Sequence, residues 1–325
     1  MMRYGLLLVP LLMLIPAAHA GDVDADMVPD ELEDRTERTL SVRAFPEGAP
    51  TALYVRSEAR GAGDAFEMDW SKGRLRVGYL PDVAGSPAVT LELAFGSLVE
   101  FTDADGNGAP SIDEVERALL LDSGYNAAGV LEESTLEDGA QLVSFTIRRD
   151  TVVFRLEVVS RFTTVGGRQA SPVEVRIEVT VDHANRLAGT RIAVEADVLS
   201  KEGSSVGTYH ARPGFALAEQ EAALSTTAGG QQIYLAWEGV ATADGAMAPI
   251  TAPVPLASLG ESLPVVFAYP PAEIIRHSLR IGIVSEAHAT ELAAPSPEVT
   301  AGVYALTLGL AATLLVATAL RRRVR

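Results

Sequence analysis

Val173-Glu174-Val175-Arg176-Ile177-Glu178-Val179-Thr180-Val181 is the stretch on which the fold turns. Its apolar residues are all β-branched and alternate one for one with polar ones. A helix would scatter them around its circumference, whereas an extended strand puts the two sets on opposite faces. The same period of two returns at Ile192, Val194, Ala196 and Val198, and at Val152, Phe154, Leu156 and Val158. It recurs at Val143, Phe145 and Ile147, at Leu75, Val77 and Tyr79, and at Val89, Leu91, Leu93 and Phe95. One apolar and one charged face is the pattern of antiparallel strands with one side on a core and the other in water. Turn-forming clusters punctuate the runs, at Gly61-Ala62-Gly63-Asp64, Gly166-Gly167, Gly203-Ser204 and Gly229-Gly230. The pattern predicts a mainly β chain: an antiparallel β-sandwich, one large or two in tandem, over residues 39–288. The polar stretch Thr163–Ser171 is either a sub-boundary within it or one long hairpin loop.

Outward from this body, the two ends change character. Met1–Ala20 carries Arg3, an apolar run from Leu6 to Ile15 and the small-x-small pattern Ala18-His19-Ala20. This is the layout of a signal peptide. Residues 21–38 hold eight acids and few apolar side chains, and read as an acidic flexible arm. Residues 289–300, with Pro295 and Pro297, read as a stiff linker. Residues 301–320 contain no charge. As a helix they would extend about 30 Å, the thickness of a bilayer's hydrocarbon core. Arg321, Arg322, Arg323 and Arg325 make residues 321–325 a basic tail, held on the cytoplasmic side by the positive-inside rule. The expected arrangement is a single-pass cell-membrane protein with an extracellular ectodomain and membrane lipid around residues 301–320. The tail also resembles C-terminal sorting signals in which the helix is removed and the protein moved to another anchor; either route leaves the body surface-attached.

Composition narrows the functions available. The formal net charge is −17 and cysteine is absent. An acidic surface repels nucleic acid, so no nucleic-acid partner is expected, and it attracts divalent cations. Without disulfides the fold rests on burial, for which 48% hydrophobic residues supply the material. A bound ion would add to it.

The segment that suggests one is Asp103-Ala104-Asp105-Gly106-Asn107-Gly108-Ala109-Pro110-Ser111-Ile112-Asp113-Glu114. It fits the D-x-D-x-[DN]-G-x₅-E spacing of a calcium loop. A hard cation takes six to eight oxygens, and carboxylates spaced by two converge as the backbone curls. The expected ligands are the side chains of Asp103, Asp105 and Asn107, the carbonyl of Ala109, Ser111 by hydroxyl or water, and Glu114 with both oxygens. Gly108 would allow the sharp turn at position six. Ser111-x-x-Glu114 is also a capping-box pattern, ahead of Ile112, Val115 and Leu119, and predicts a short exit helix. Pro110 occupies a position where paired loops carry a branched apolar residue, and no second loop of this kind occurs. A paired EF-hand is therefore not expected.

The loop resembles the isolated Asp-rich calcium loops of dockerin-like and thrombospondin-type repeats. The wider layout resembles archaeal-type membrane-anchored surface proteins, which carry a Phe-x-Asp-x-(Asp/Asn)-Gly-Asn-Gly loop between β-strands. Here Val99–Gly108 carries the motif, with Tyr269-Pro270-Pro271 and Ile274–His277 as further matching pieces. The resemblance implies a calcium-stabilised surface protein and no activity.

No metalloprotease or phosphate-loop signature is present: His183, His210, His277 and His288 form no H-E-x-x-H, and no phosphate-cradling loop occurs. His183 reads as part of a turn between strands. Trp70 and Trp237 read as core residues, not as sugar platforms. Asn107, Asn126 and Asn185 lie in no N-glycosylation sequon. The expected function is therefore not enzymatic: envelope structure, adhesion or ligand binding, with an envelope protein or polysaccharide as partner. The rival expectation is an exported, membrane-anchored hydrolase of polysaccharide or peptide.

Overall fold

A computed structural model describes residues 37–59, 63–81, 84, 89–125, 127–200, 206–209, 221–228, 231–252 and 262–284. The expected signal peptide (1–20), linker (289–300), transmembrane helix (301–320) and basic tail (321–325) lie outside the described residues. So do His210 and His288. Among the described residues no helix is long and apolar enough to cross a membrane.

The described residues build two antiparallel sheets. Strands β1 (Arg38–Phe45), β2 (Ala52–Ala59), β3 (Ala65–Ser71), β4 (Arg74–Leu80) and β5 (Val89–Phe101) form a meander, each paired to the next. β6 (Val115–Leu120) folds back along the second half of β5. The chain then crosses to the second sheet through β7 (Val130–Thr135), β8 (Gln141–Arg149) and β9 (Val152–Val159). A small hairpin of β10 (Thr163–Val165) and β11 (Arg168–Ala170) leads to β12 (Glu174–Asp182), which pairs directly with β9. β13 (Arg191–Ser200) returns to the first sheet beside β5. β14 (Val206–Tyr209), β15 (Glu221–Ala228) and β16 (Gln231–Glu238) extend the second sheet. β17 (Val240–Ala243) and β18 (Ala246–Pro249) make a hairpin, β19 (Ser262–Tyr269) joins β13, and β20 (Ile274–Val284) runs between β16 and β12. The first sheet thus runs β1-β2-β3-β4-β5-β13-β19 with β6 on β5. The second runs β14-β15-β16-β20-β12-β9-β8-β7, with β17 on β20 and β18 on β17.

The alternation read from the sequence sets which residues face inward. Val175, Ile177, Val179 and Val181 of β12 are all buried, with Leu279 and Ile281 of β20 and Phe154 and Leu156 of β9. They join Val55, Trp70, Leu93 and Phe95 of the first sheet in one apolar cluster. The sheets meet through rings. Phe154 lies 5.1 Å from Trp70 and 4.8 Å from Phe95 between centroids, and Trp237 lies 5.4 Å from Phe267. Both tryptophans are core residues, as their strand positions predict: neither is more than 2% exposed. Two antiparallel sheets packed over one shared apolar cluster are a β-sandwich arrangement.

Two boundary readings change in detail. The stretch Thr163–Ser171 is the β10–β11 hairpin, and the strands on either side of it are neighbours in one sheet. Of the acidic arm expected over 21–38, residues 21–36 lie outside the described residues, whereas Arg38 opens β1 and is 2% exposed. Its guanidinium bonds Asp64 at 2.8 Å and its N–H donates to the Ser160 carbonyl at 2.7 Å. Charge alone made Arg38 look like arm; its carboxylate partner, after β2, makes burial tolerable.

Phe154→Ala removes the ring shared by both sheets. It should cost about 3–5 kcal/mol in chemical denaturation. Arg148→Ala, exposed on the outer face of β8, should stay within about 0.5 kcal/mol.

Candidate metal centre

The Asp-rich segment is the connection of a hairpin. β5 enters it at Phe101 and β6 leaves it at Val115. The Thr102 N–H donates to the Glu114 carbonyl at 2.9 Å, closing its base. The exit is not the helix that the capping box predicts. Ile112–Glu114 forms a single 3-10 turn and the chain extends at once into β6. The box itself is present, but it fixes only one turn. Ile112 is 94% exposed, and pairing with β5 takes the backbone instead.

Within the loop, Asp103, Asp105 and Glu114 each bring one carboxylate oxygen into a cluster no more than 4.8 Å across. Glu114, though largely buried, is heavily hydrogen-bonded. One of its oxygens accepts from the Ala104 N–H at 2.8 Å and the Asp105 N–H at 3.3 Å. The other accepts from the Ser111 hydroxyl at 2.8 Å and the Ser111 N–H at 3.0 Å. These bonds, that of the Ser111 hydroxyl foremost, hold its carboxyl below the usual range. Asp103 accepts from the Gly108 N–H at 3.1 Å and from Arg191 at 2.8 Å; the first chiefly, then the second, holds its carboxyl low too. Both bonding sets favour the ionised form.

The other expected ligands serve the loop's own framework. The Asn107 amide donates to Asp105 at 2.7 Å, and its oxygen accepts from the Ala109 N–H at 2.7 Å. Ser111 donates to Glu114. The three carboxylates are thus brought together; Asn107 and Ser111 by their side chains, and Ala109 by its N–H and not by the carbonyl expected as ligand, are hydrogen-bonded within the loop. The donor set is oxygen only, which suits a hard cation and not a soft one. The loop can hold a metal ion.

Two partners of this site were invisible in its sequence. Arg191, at the start of β13, places its guanidinium 5.8 Å from the Phe101 ring centroid and donates to the Tyr269 carbonyl at 3.2 Å. It offsets part of the carboxylate charge without cancelling it. Thr251 lies against Gly108: a Cβ there would meet the Thr251 hydroxyl at 2.7 Å and Arg191 at 3.2 Å. Nothing within the loop signals either residue, since one comes from β13 and the other from the segment after β18, both far along the chain.

Beside the loop stem, Glu100 is 3% exposed. It accepts from the Thr190 hydroxyl at 2.6 Å and from the Leu187 N–H, and lies 3.3 Å from His183 Nε2. Burial pushes its carboxyl up, but the bonds from Thr190, Leu187 and His183 outweigh it and hold it low. His183 sits in the β12–β13 turn, as its neighbours predict. His277 lies in the core, where Nε2 donates to the Glu238 carbonyl at 2.8 Å and Nδ1, at 3.1 Å, is the natural acceptor for the Tyr269 hydroxyl. Burial pulls it down to about 3, so it stays neutral.

No protein-family model matches the chain, and no curated protein matches it significantly.

Gly108 has a φ of +79° and Gly106 one of +72°. Gly108→Ala should cost about 1–3 kcal/mol of strain, plus the contact with Thr251. Gly106→Ala has open space around it and should cost only the backbone part; paired urea melts would rank them. His277 gives a pH signature. The unfolded state gains its proton near pH 6.5 and the folded state only near 3. Stability should therefore be complete above pH 6.5 and fall by up to about 1.4 kcal/mol per pH unit below it. The lowered carboxylates contribute only further into acid. His277→Gln should flatten the slope between roughly pH 6.5 and 4.5, whatever its effect on the stability maximum.

Proposed function

We propose that this chain is a surface-anchored extracellular β-sandwich that binds calcium on the Asp103–Glu114 loop for structural purposes, and serves envelope structure, adhesion or ligand binding. The observation that carries the reading is the convergence of Asp103, Asp105 and Glu114 at the tip of the β5–β6 hairpin. Asp103 and Glu114 are held ionised, so a cation arrives at charge already in place. Calcium suits the site better than magnesium. It accepts irregular oxygen geometry and leaves room for water, whereas magnesium demands near-octahedral ligands. The cation would add cohesion to a loop that no disulfide crosses.

The surface setting is supported by the uncharged run at 301–320 with its arginine tail and by the signal-peptide layout at 1–20. Membrane lipid would surround residues 301–320, and an envelope protein or polysaccharide would meet the sandwich. An acidic body is suited to an environment rich in divalent cations.

Two measurements test this. Melting of the full-length protein in detergent, with calcium at a hundred times its dissociation constant, should show about 2.7 kcal/mol of added stability, removed by chelator. Asp105→Asn should weaken calcium binding without unfolding the hairpin, and magnesium should give the smaller shift. An unchanged melting temperature at millimolar calcium would remove the metal. Protease added to intact cells should cut the sandwich away; full protection would remove the surface assignment.

A further inference from the structure

The outer face of the second sheet carries a groove of about 440 Å³, far from neutral in a distinctive way. Its floor is a grid set by strand register across β20, β12 and β9. One row reads Arg280–Arg176–Glu157, the next Ser278–Glu178–Arg155, and the third opens with Arg276 beside Thr180. Its walls are the two small hairpins: Gly166 and Arg168 come from β10–β11, Thr242 and Met247 from β17–β18. Five arginines and three glutamates line it, with no aspartate and no aromatic ring among the described residues. The chain as a whole has a net charge of −17. This groove is therefore a cationic exception.

Two of its guanidiniums face each other. Arg176 and Arg280 stand directly opposite across the β12–β20 ladder, and like charges so placed repel. Neither is well hydrated: the Arg176 side chain is 16% exposed and Arg280 is 7% exposed. The carboxylate of Glu157 is shared, lying 2.9 Å from Arg155 and 3.9 Å from Arg176. Arg168 is paired with Glu238, and Arg176 is braced by the Val165 carbonyl at 2.9 Å. These bonds pin the guanidiniums in place before any ligand arrives, which limits the ordering cost of binding. Arg276 is exposed and makes no ion pair among the described residues.

We infer that this groove binds a small polar molecule through an oxyanion group, of which a sugar acid is the type that fits best. Planar guanidiniums recognise carboxylate, sulfate and phosphate through paired N–H donors. Glu178, Ser278 and Thr242 supply the acceptors and hydroxyls that a polyhydroxylated body would use. The lack of an aromatic ring removes the stacking platform that a neutral sugar needs, so charge carries the recognition. The volume lies in the range of small-ligand sites. The site stands apart from the calcium loop, and neither depends on the other.

The test is calorimetric titration of the full-length protein with glucuronate, inorganic phosphate and glucose at fixed ionic strength. Saturable binding of glucuronate with none of glucose is expected. Phosphate binding equally well would place the recognition in the oxyanion alone; weaker phosphate binding would show that the sugar body contributes. Arg276→Gln, on an exposed strand position, should weaken glucuronate roughly tenfold, the loss of one charge-assisted hydrogen bond. Arg276→Lys should recover only part of it, and Arg74→Gln, on the opposite sheet, should leave glucuronate binding unchanged. Calcium affinity, measured in the same variants, should not change. Absence of saturable binding by either anion, or equal binding in the Arg276 variants, overturns the proposal and leaves the groove an ion-pair lattice only.

Discussion

Phe154 sits against Trp70 and Phe95, and that contact is where two separately paired sheets become one body. Each sheet satisfies its backbone within itself, but each also has an apolar face that water cannot cover. The chain has no cysteine with which to staple the layers. Burial alone must hold them, so the inner positions tolerate little besides large apolar side chains. At about 25 cal/mol per Å² of apolar surface removed from water, a few aromatic residues supply a large share of a domain's margin. The outer faces are released from that demand and carry the charge.

β5 links this core to the loop. Its first half pairs with β4 and its second half with β6, on the same edge, while β13 runs along the other. Gly96 falls at the handover, opposite a register shift between Glu195 and Ala196. The extra residue lets one strand change partners without turning its apolar set away from the core. The Asp-rich loop is thereby mounted on a buried strand, with Arg191 and Thr251 brought against it from β13 and the segment after β18. Its carboxylates owe their position to a rigid base and not to the loop alone.

The parts legible in the sequence were those with local causes. Alternation along β12, β13, β9, β8, β4 and β5 needs only neighbouring residues, and it located the strands and their buried faces. The spacing of Asp103, Asp105 and Glu114 is likewise local, and it foretold the cluster. The expected helix after Ser111 failed because a capping box fixes only one turn; strand pairing with β5 decided what followed. Arg38 was misplaced because its acidic surroundings in the chain say nothing of Asp64 across the sheet. Arg191 at the loop and the arginine grid of β9, β12 and β20 could not be foreseen. Both arise from registers between segments far apart in the chain, and a period of two is blind to which strands become neighbours.

Glu100 imposes a rule on how this chain can vary. One buried carboxylate serves the Thr190 hydroxyl, the Leu187 N–H and His183 together. An apolar residue at 100 would strand the Leu187 N–H and His183, each at about 1–3 kcal/mol, and leave the Thr190 hydroxyl only the Leu187 carbonyl at 2.7 Å. Drift at position 100 is therefore tied to positions 183 and 190, and a lineage that abandons the acid must redesign the turn between β12 and β13 in the same step.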